Sequence, residues 1–426
     1  MKVRFVTLGC KLNFAESSAI GKELLSRGHE RALQNEVPDI CVVNTCSVTD
    51  AADHKDRQTI NQLHRKYPNA IIIVTGCYAQ LQPHQVAQIE GVDYVLGQNE
   101  KYEITELVDT IESNRKHLLD AVQEIKGEKI RVASIREVDE FHGVYSADDR
   151  TRCFIKVQDG CNYFCTYCTI PYARGKSRNP HISTLLQEAQ KAIDQGAKEL
   201  ILTGVNIGDF GQSTGEKFID LIQALDTLAG DFRIRISSCE PNLLTNEIID
   251  FVAKSKHFAP HFHIPLQSGS NEVLQIMKRR YTRELFADRV KHIRELMPHA
   301  FIGVDCMVGV RGETEAYWQD YLTFIKQLNV SQLHVFTYSE RANTRMLEMN
   351  LHVVPKAERQ RRSKILHEVS EEKTKAFYAQ HIGRQSIVLW ESKKEGDQMS
   401  GFTENYIKVY GPYKKEKINT FEEIVL

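Results

Sequence analysis

Gln158-Asp159-Gly160-Cys161-Asn162-Tyr163-Phe164-Cys165-Thr166-Tyr167-Cys168 follows an apolar run, Phe154 to Val157, that has the length and residue types of a strand. Three thiols between Cys161 and Cys168 can converge only if the loop wraps a shared centre. A structural zinc site usually takes four protein ligands, whereas three cysteines in this compact spacing leave one iron of a four-iron cluster without a protein ligand. Two other readings stay open at this point: a zinc ion with a distant fourth ligand, and three cysteines packed as small hydrophobes.

Downstream of this loop, strand-like runs alternate with helix-length segments. The runs are Phe154 to Val157, Glu199 to Thr203, Arg233 to Ser237, His261 to Leu266, Phe301 to Val308 and Gln332 to Thr337. Six strands, each followed by a helix, predict a partial parallel (βα)6 barrel. Upstream, Val3 to Leu8, Ile40 to Asn44, Ala70 to Thr75 and Tyr94 to Leu96 alternate with amphipathic stretches, the rhythm of a doubly wound parallel sheet. The fold class is therefore α/β. After Pro355 comes a charged helix with Arg359, Arg361, Arg362 and Lys364, and Arg384 to Leu426 switches to short β runs that suit a small β-barrel. These changes place an N-terminal α/β domain over 1–115, a charged linker or hairpin-bearing connection over 116–145, the barrel over 146–375 and the small β domain over 376–426.

Lys and Arg number 55 against 56 Asp and Glu in 426 residues, a net charge of -1, so no global positive field advertises a nucleic-acid partner and any such partner is gripped by local patches. The longest purely apolar stretch, Ala70 to Val74, is far short of the roughly 18 residues of a spanning helix. Met1-Lys2-Val3-Arg4 opens directly into a strand-like run without a signal-peptide core. These features predict a cytoplasmic protein with no membrane partner. Ten cysteines in such a chain point to metal binding or reactivity rather than to a disulfide framework.

Three of those cysteines repeat one position. Thr7-Leu8-Gly9-Cys10, Val43-Asn44-Thr45-Cys46 and Val74-Thr75-Gly76-Cys77 each place a cysteine just past the end of a predicted strand. In a parallel sheet those ends share one edge, the usual ligand-binding crevice, and Gly9 and Gly76 permit close backbone approach. Buried cysteines at strand ends are the bland alternative, and the repetition argues against it. Cys41, Cys153, Cys239 and Cys306 sit in or beside apolar runs and read as core.

The Cys-x3-Cys-x2-Cys pattern, with Tyr167 before its last cysteine, resembles the radical S-adenosylmethionine (SAM) superfamily. With three strand-end cysteines ahead of it and a β domain behind, the chain resembles the radical SAM methylthiotransferase family over nearly its whole length. Thr7 to Asn13, Asn44-Thr45-Cys46, Thr75 to Gln80 and Cys168 to Gly175 are most similar to the branch acting on threonylcarbamoyladenosine in tRNA. The resemblance implies a 4Fe-4S cluster on Cys161, Cys165 and Cys168 whose open iron chelates SAM. It also implies a second 4Fe-4S cluster on Cys10, Cys46 and Cys77 whose open iron holds the sulfur to be inserted. The implied reaction converts N6-threonylcarbamoyladenosine beside the tRNA anticodon, at tRNA position 37, to its 2-methylthio form, with SAM as methyl donor and as radical source. Gly401 to Tyr406 resembles the TRAM domain, an RNA-binding barrel. Implied partners are tRNA, a flavodoxin- or ferredoxin-like reductase as electron donor, and a sulfur source. Rivals within the class act on isopentenyladenosine in tRNA or on a ribosomal-protein aspartate; a rival outside it is a non-catalytic Fe-S or zinc RNA-binding module.

By the same resemblance Tyr167, Thr203, Gly204, Asn206, Ser238, Glu240 and Gln267 would line the SAM pocket, with Ser237 beside them, and no catalytic side chain is implied beyond the cluster ligands. Polar residues at carboxyl ends of barrel strands are independently where function is expected, with capping of the next helix the lesser alternative for Asn206. Gly175-Lys176-Ser177 imitates the end of a phosphate loop, but Ile170 stands where that motif needs glycine. Basic residues gather at Arg174 to Arg178, at Lys278-Arg279-Arg280-Tyr281 and along the Arg359 helix, where a charge run reads equally as a solvated face. In the tail, Lys408, Lys414, Lys415 and Lys417 interleave with Tyr406, Tyr410 and Tyr413, offering phosphate contacts and stacking surfaces together. The chain departs from the family pattern at Val310-Arg311-Gly312-Glu313, where Phe-Pro precedes Gly-Glu, and at Glu340-Arg341-Ala342-Asn343-Thr344, where Pro and Gly are usual. A threonylcarbamoyl group carries a carboxylate, so Arg174, Arg311, Arg341 and Arg345 are the candidate substrate contacts.

Overall fold

Ile40-Cys41-Val42-Val43 and Ile71-Ile72-Ile73-Val74 are apolar at every position, as strands covered on both faces must be. The computed structural model, described over residues 1–33, 35–117, 128–138, 140–146 and 151–426, bears this out. Two compact units form: Met1–Ser146 together with Cys168–Lys176, and Ala147–Tyr167 together with Ser177–Leu426. In the first, β1 (Lys2–Thr7), β2 (Glu30–Arg31), β3 (Ile40–Thr45), β4 (Ile71–Gly76), β5 (Val92–Leu96) and β6 (Ile130–Arg131) make one parallel sheet in the order β2-β1-β3-β4-β5-β6. Ile40, Val42 and Ile73 face the helices Lys11–Ser26 and Ile104–His117, while Cys41, Val43, Ile72 and Val74 face the helix Asp50–Lys66. The two-residue edge strands are too short to leave a periodic signal. One of them, β6, comes from the stretch read as a connection, of which 118–127 lies outside the described residues.

In the second unit β7 (Arg152–Lys156), β8 (Glu199–Thr203) and β9 (Arg233–Ile236) run parallel, as do β10 (His261–Gln267), β11 (Phe301–Val308) and β12 (Gln332–Thr337). A parallel bridge from Ser238 to His263 joins the two trios into the expected six-stranded partial barrel. Thr245, Ser270, Thr282 and Thr314 each accept a hydrogen bond from the backbone N–H three residues on, starting the helices Asn246–Lys254, Asn271–Ile276, Arg283–Leu296 and Glu315–Gln327. Four antiparallel strands follow, β13 (Gln385–Glu395), β14 (Gln398–Thr403), β15 (Lys408–Pro412) and β16 (Phe421–Val425), in the order β15-β14-β13-β16, a curled half-barrel rather than a closed one. No helix among the described residues is long and apolar enough to cross a membrane.

This last sheet closes the amino-terminal end of the barrel. Arg152, Glu199 and Arg233 open β7, β8 and β9 in register, and the fully buried Glu199 pairs with Arg233 and, at 2.9 Å, with Arg235. The two guanidinium groups then donate onward to the carbonyls of Ile387, Phe402 and Glu404. Tyr406 is not an outward stacking surface, as the tail pattern suggests. Its ring packs against His261 and Phe301 at 4.9 and 5.5 Å, inside the barrel floor.

Burial disfavours a charged Glu199, but Arg235 and Arg233 overcome it and hold the carboxyl well below its ordinary value of 4.5. A depressed native pKa stabilises the fold above the unfolded value and loses that stabilisation as pH falls below about 4.5. Glu199→Gln should therefore lower unfolding stability by about 3–5 kcal/mol at pH 7, with the gap to wild type closing below pH ~4. Urea titrations at pH 7 and pH 3.5 test this, and an equal loss at both would contradict the ion-pair origin.

Candidate functional site

The first site is built at the carboxyl edge of β1, β3 and β4, which are neighbours in the sheet. Cys46 and Cys77 directly follow β3 and β4, and Cys10 follows β1 after Leu8 and Gly9; Cys10 is exposed, Cys46 half-buried and Cys77 buried. Gly9 adopts φ +105°, and a Cβ there would lie 2.7 Å from the Cβ of Cys46; at Gly76, φ +99°, it would lie 2.4 Å from the carbonyl of Thr45. Only glycine lets the loops close this far. Asn13 staples them: its Nδ2 donates to the carbonyls of Leu8 and Thr45, both at 2.9 Å, and its Oδ1 accepts from the Cys10 thiol at 3.5 Å. Gln98 Nε2 approaches Cys77 Sγ at 3.4 Å, and the Cys46 amide donates to Asp56.

The three thiols are close enough to influence one another's ionisation. Burial, then Cys77, push the Cys46 thiol up to about 12, with Cys10 adding to it, and burial likewise raises Cys77. Asp56, also buried, is pushed up to about 8. Among the described residues no three His, Cys, Asp or Glu side chains are drawn tightly enough around one point for a single metal ion. A four-iron cluster spreads its thiolates further apart than a single ion does.

The second motif follows β7. Gln158, fully buried, ties the loops together: its Oε1 accepts from the amides of Val205 and Asn206, and its Nε2 donates to the carbonyls of Asp159 and Gly160 and to Ser177 Oγ. A Cβ at Gly204 would lie 2.9 Å from the Gln158 carbonyl, so close packing requires that glycine. Burial pushes the Cys161 thiol up to about 12 and raises Cys165. Cys168, the third member, belongs with the first compact unit.

Arg279 is the residue that the sequence reading missed. In the run Lys278-Arg279-Arg280 it looks like part of a phosphate-binding patch, yet its side chain is only 4% exposed. It donates to Cys165 Sγ at 3.0 Å, to the Tyr167 hydroxyl at 3.4 Å and to the Tyr281 hydroxyl at 3.1 Å, and it pairs with Glu240. Arg280 lies over the Tyr163 ring and donates to the Asn162 carbonyl. The Arg359 helix is likewise committed: Arg362 binds Glu313, Glu315 and Glu358, Arg361 binds Glu358 and Glu315, and Arg359 donates to the carbonyls of Val354 and Tyr338.

At the carboxyl ends of the barrel strands the donor set has gaps. Thr203 Oγ1 and Gln267 Oε1 are buried without a hydrogen-bond partner among the described residues, and the Asn206 carboxamide lies near Tyr163 without closing a well-formed bond. Gln267 stands at φ +65° beside a register shift in β10. Ser237 is buried, and Ser238 makes the bridge to β10. Orphaned buried polar groups call for an occupant, and this set fits a small polar ligand such as SAM. Of the four arginines, Arg174 is buried on Glu16 and Asn13, Arg311 pairs with Glu340, Arg341 is buried, and Arg345 is exposed at the start of the helix Arg345–Glu348. Asn343 adopts φ +64°, the conformation for which glycine is the ordinary choice.

The radical SAM superfamily matches residues 155–325, and the uncharacterized protein family UPF0004 matches residues 2–97. The threonylcarbamoyladenosine tRNA methylthiotransferase MtaB of Bacillus subtilis is 38% identical over 96% of this chain and 89% of its own length. The tRNA-2-methylthio-N(6)-dimethylallyladenosine synthase of Pelotomaculum thermopropionicum is 30% identical over 99% of this chain and 91% of its own. Among solved structures, the radical S-adenosylmethionine methyltransferase TsrM of Kitasatospora setae has the same fold, with a TM-score of 0.54 at 15% identity over 79% of this chain and 75% of that one.

Thiols held near 12 must lose protons to bind iron, so iron uptake by the metal-free full chain should strengthen as pH rises from 6.5 to 8.5 and release protons into a weakly buffered solution. Uptake independent of pH, with no proton release, would contradict thiol ligation.

Proposed function

We propose that this chain, which belongs to the tRNA methylthiotransferase family of radical SAM enzymes, replaces the C2 hydrogen of N6-threonylcarbamoyladenosine beside the tRNA anticodon with a methylthio group. The observation that carries the reading is the convergence of Cys10, Cys46 and Cys77 on one sheet edge in a chain that also holds the Cys161, Cys165, Cys168 loop. Each triad would hold one 4Fe-4S cluster with an open iron. When bound, the cluster on Cys161, Cys165 and Cys168 would supply, with SAM, a radical able to open a C–H bond that acid–base chemistry leaves untouched. The relative from Bacillus subtilis supports the threonylcarbamoyl substrate over the isopentenyl one. The enzyme would work in the cytoplasm, with a flavodoxin- or ferredoxin-like reductase and a separate sulfur source.

The chain's own residues orient and hold. Thr203, Asn206 and Gln267 present their unpartnered polar atoms to SAM, with Gly204 and Ser238 shaping the pocket wall. Arg279 holds Glu240, Tyr167 and Cys165 in one cluster of hydrogen bonds, which aims the Glu240 carboxylate for an ammonium group. Arg174 and Arg311 face carboxylate partners, and the loop after β12 offers Arg341 and Arg345 as the residues to take the substrate carboxylate. On the outer face of the C-terminal sheet, Lys408 lies 4.7 Å from the ring centre of the exposed Tyr410, and Lys414 and Lys415 are exposed, a surface suited to RNA phosphates. Lys417 is neutralised by Glu422 and drops out of that surface.

Arg341→Met or Arg345→Met should reduce thiolation of tRNA carrying threonylcarbamoyladenosine by about one to three orders of magnitude. Mass spectrometry of the nucleosides, run beside tRNA carrying isopentenyladenosine, decides the substrate. Preferential thiolation of the isopentenyl tRNA, or full activity in both variants, would sink the carboxylate reading. Replacing Lys408, Lys414 and Lys415 with Gln should weaken tRNA binding and flatten its salt dependence by ~0.9 per lost phosphate contact, without lowering the unfolding temperature. An unchanged salt slope would leave the C-terminal sheet only its structural role.

A further inference from the structure

Behind the first cysteine triad, and within the same compact unit, lies a charged network shut off from water. Glu16 is fully buried, Lys101 is 1% exposed and Arg174 2%. Lys101 Nζ reaches Glu16 Oε1 at 2.6 Å, and Arg174 reaches the same oxygen at 3.0 Å and Glu16 Oε2 at 3.3 Å. Each cation then continues to a ligand position. Arg174 Nη2 donates to Asn13 Oδ1 at 2.8 Å, the oxygen that also accepts from Cys10 Sγ. Lys101 donates to Gln98 Oε1 at 2.6 Å, and the other end of that carboxamide meets Cys77 Sγ at 3.4 Å.

Lys101 and Arg174 thus each stand one carboxamide away from one of the three thiols, with Glu16 bridging them. An anion held on those thiols gains from both cations where little water screens them. An oxidised four-iron, four-sulfide core on three cysteinates carries a net negative charge, and Cys10 adds the open N-terminus of the helix Lys11–Ser26, whose first turn has no acidic side chain. We propose that Lys101 and Arg174, offset by Glu16, are positioning residues that supply the counter-charge for the iron–sulfur group on Cys10, Cys46 and Cys77 and set its reduction potential. This rests on the two-cluster reading above. Arg174 lies in the same short segment as Cys168, so the residues that serve the first triad include one contributed by the chain just past the second motif.

The test uses the full chain with Cys161→Ala and Cys165→Ala, so that iron is held by the first triad alone while Cys168 keeps its place in the first unit. After reconstitution, iron, sulfide and the midpoint potential are measured. Arg174→Met and Lys101→Met should each move the potential negative, because removing a cation disfavours the extra electron. Glu16→Gln should move it positive, and Glu16→Gln with Arg174→Met should return it close to the starting chain. Arg174→Lys should keep the potential whatever it does to cluster yield. General damage to the site has no reason to produce shifts of opposite sign. A Glu16→Gln shift of the same sign as the two cation variants, or no shift in any of them, in chains that bind iron overturns the inference and leaves the two-cluster reading standing. Failure of the Cys161→Ala, Cys165→Ala chain to bind any iron overturns that reading and the inference with it.

Discussion

Arg174 meets the carboxylate of Glu16 out of reach of water, across 158 residues of sequence, and that pairing keeps the segment Cys168–Lys176 inside the unit that carries Cys10, Cys46 and Cys77. An unpaired charge in such a place would cost several kcal/mol, so the segment has little freedom to leave. Two consequences follow from one contact. The segment just past the second cysteine motif is anchored in the first unit, and a cation that none of the three cysteine-bearing strands supplies comes to stand near the first triad.

The same device recurs. Glu199 gathers Arg233 and Arg235 and, through their remaining donors, the backbone of the C-terminal sheet. Glu240 holds Arg279 against Cys165, and Glu313, itself receiving the Gly309 amide, holds Arg362 beneath the loop after β11. Each buried carboxylate ties together elements whose apolar packing alone would leave their relative placement free. The C-terminal sheet seals the amino-terminal end of the barrel and leaves the carboxyl ends of its strands to the loops.

Much of this architecture is legible in the sequence because it depends on local pattern. β8, β11 and β12 begin and end where their apolar runs do, and the repeated strand–cysteine junctions at Cys10, Cys46 and Cys77 announce a shared edge. What escapes is the destination of a charge. Arg279, Arg362 and Arg174 look like surface cations, since nothing nearby in sequence reveals that Glu240, Glu313 and Glu16 will bury them. Tyr406 misleads for the same reason: its lysine-rich neighbourhood suggests RNA, while its ring is taken by His261 and Phe301. Glu16 and Lys101 offered one missed clue, each a charged residue on the buried side of a helix or turn.

Division of labour between the two triads is the central claim, and chemistry separates them more cleanly than iron content does. On the proposed reading, SAM cleavage under reducing conditions would need only the Cys161, Cys165, Cys168 loop, whereas insertion of sulfur would need both. The decisive measurement is SAM cleavage and tRNA thiolation in the full chain with Cys10, Cys46 and Cys77 replaced by Ala. Retained cleavage with thiolation abolished is the predicted result. Loss of cleavage in a folded chain, or thiolation that survives, would contradict it.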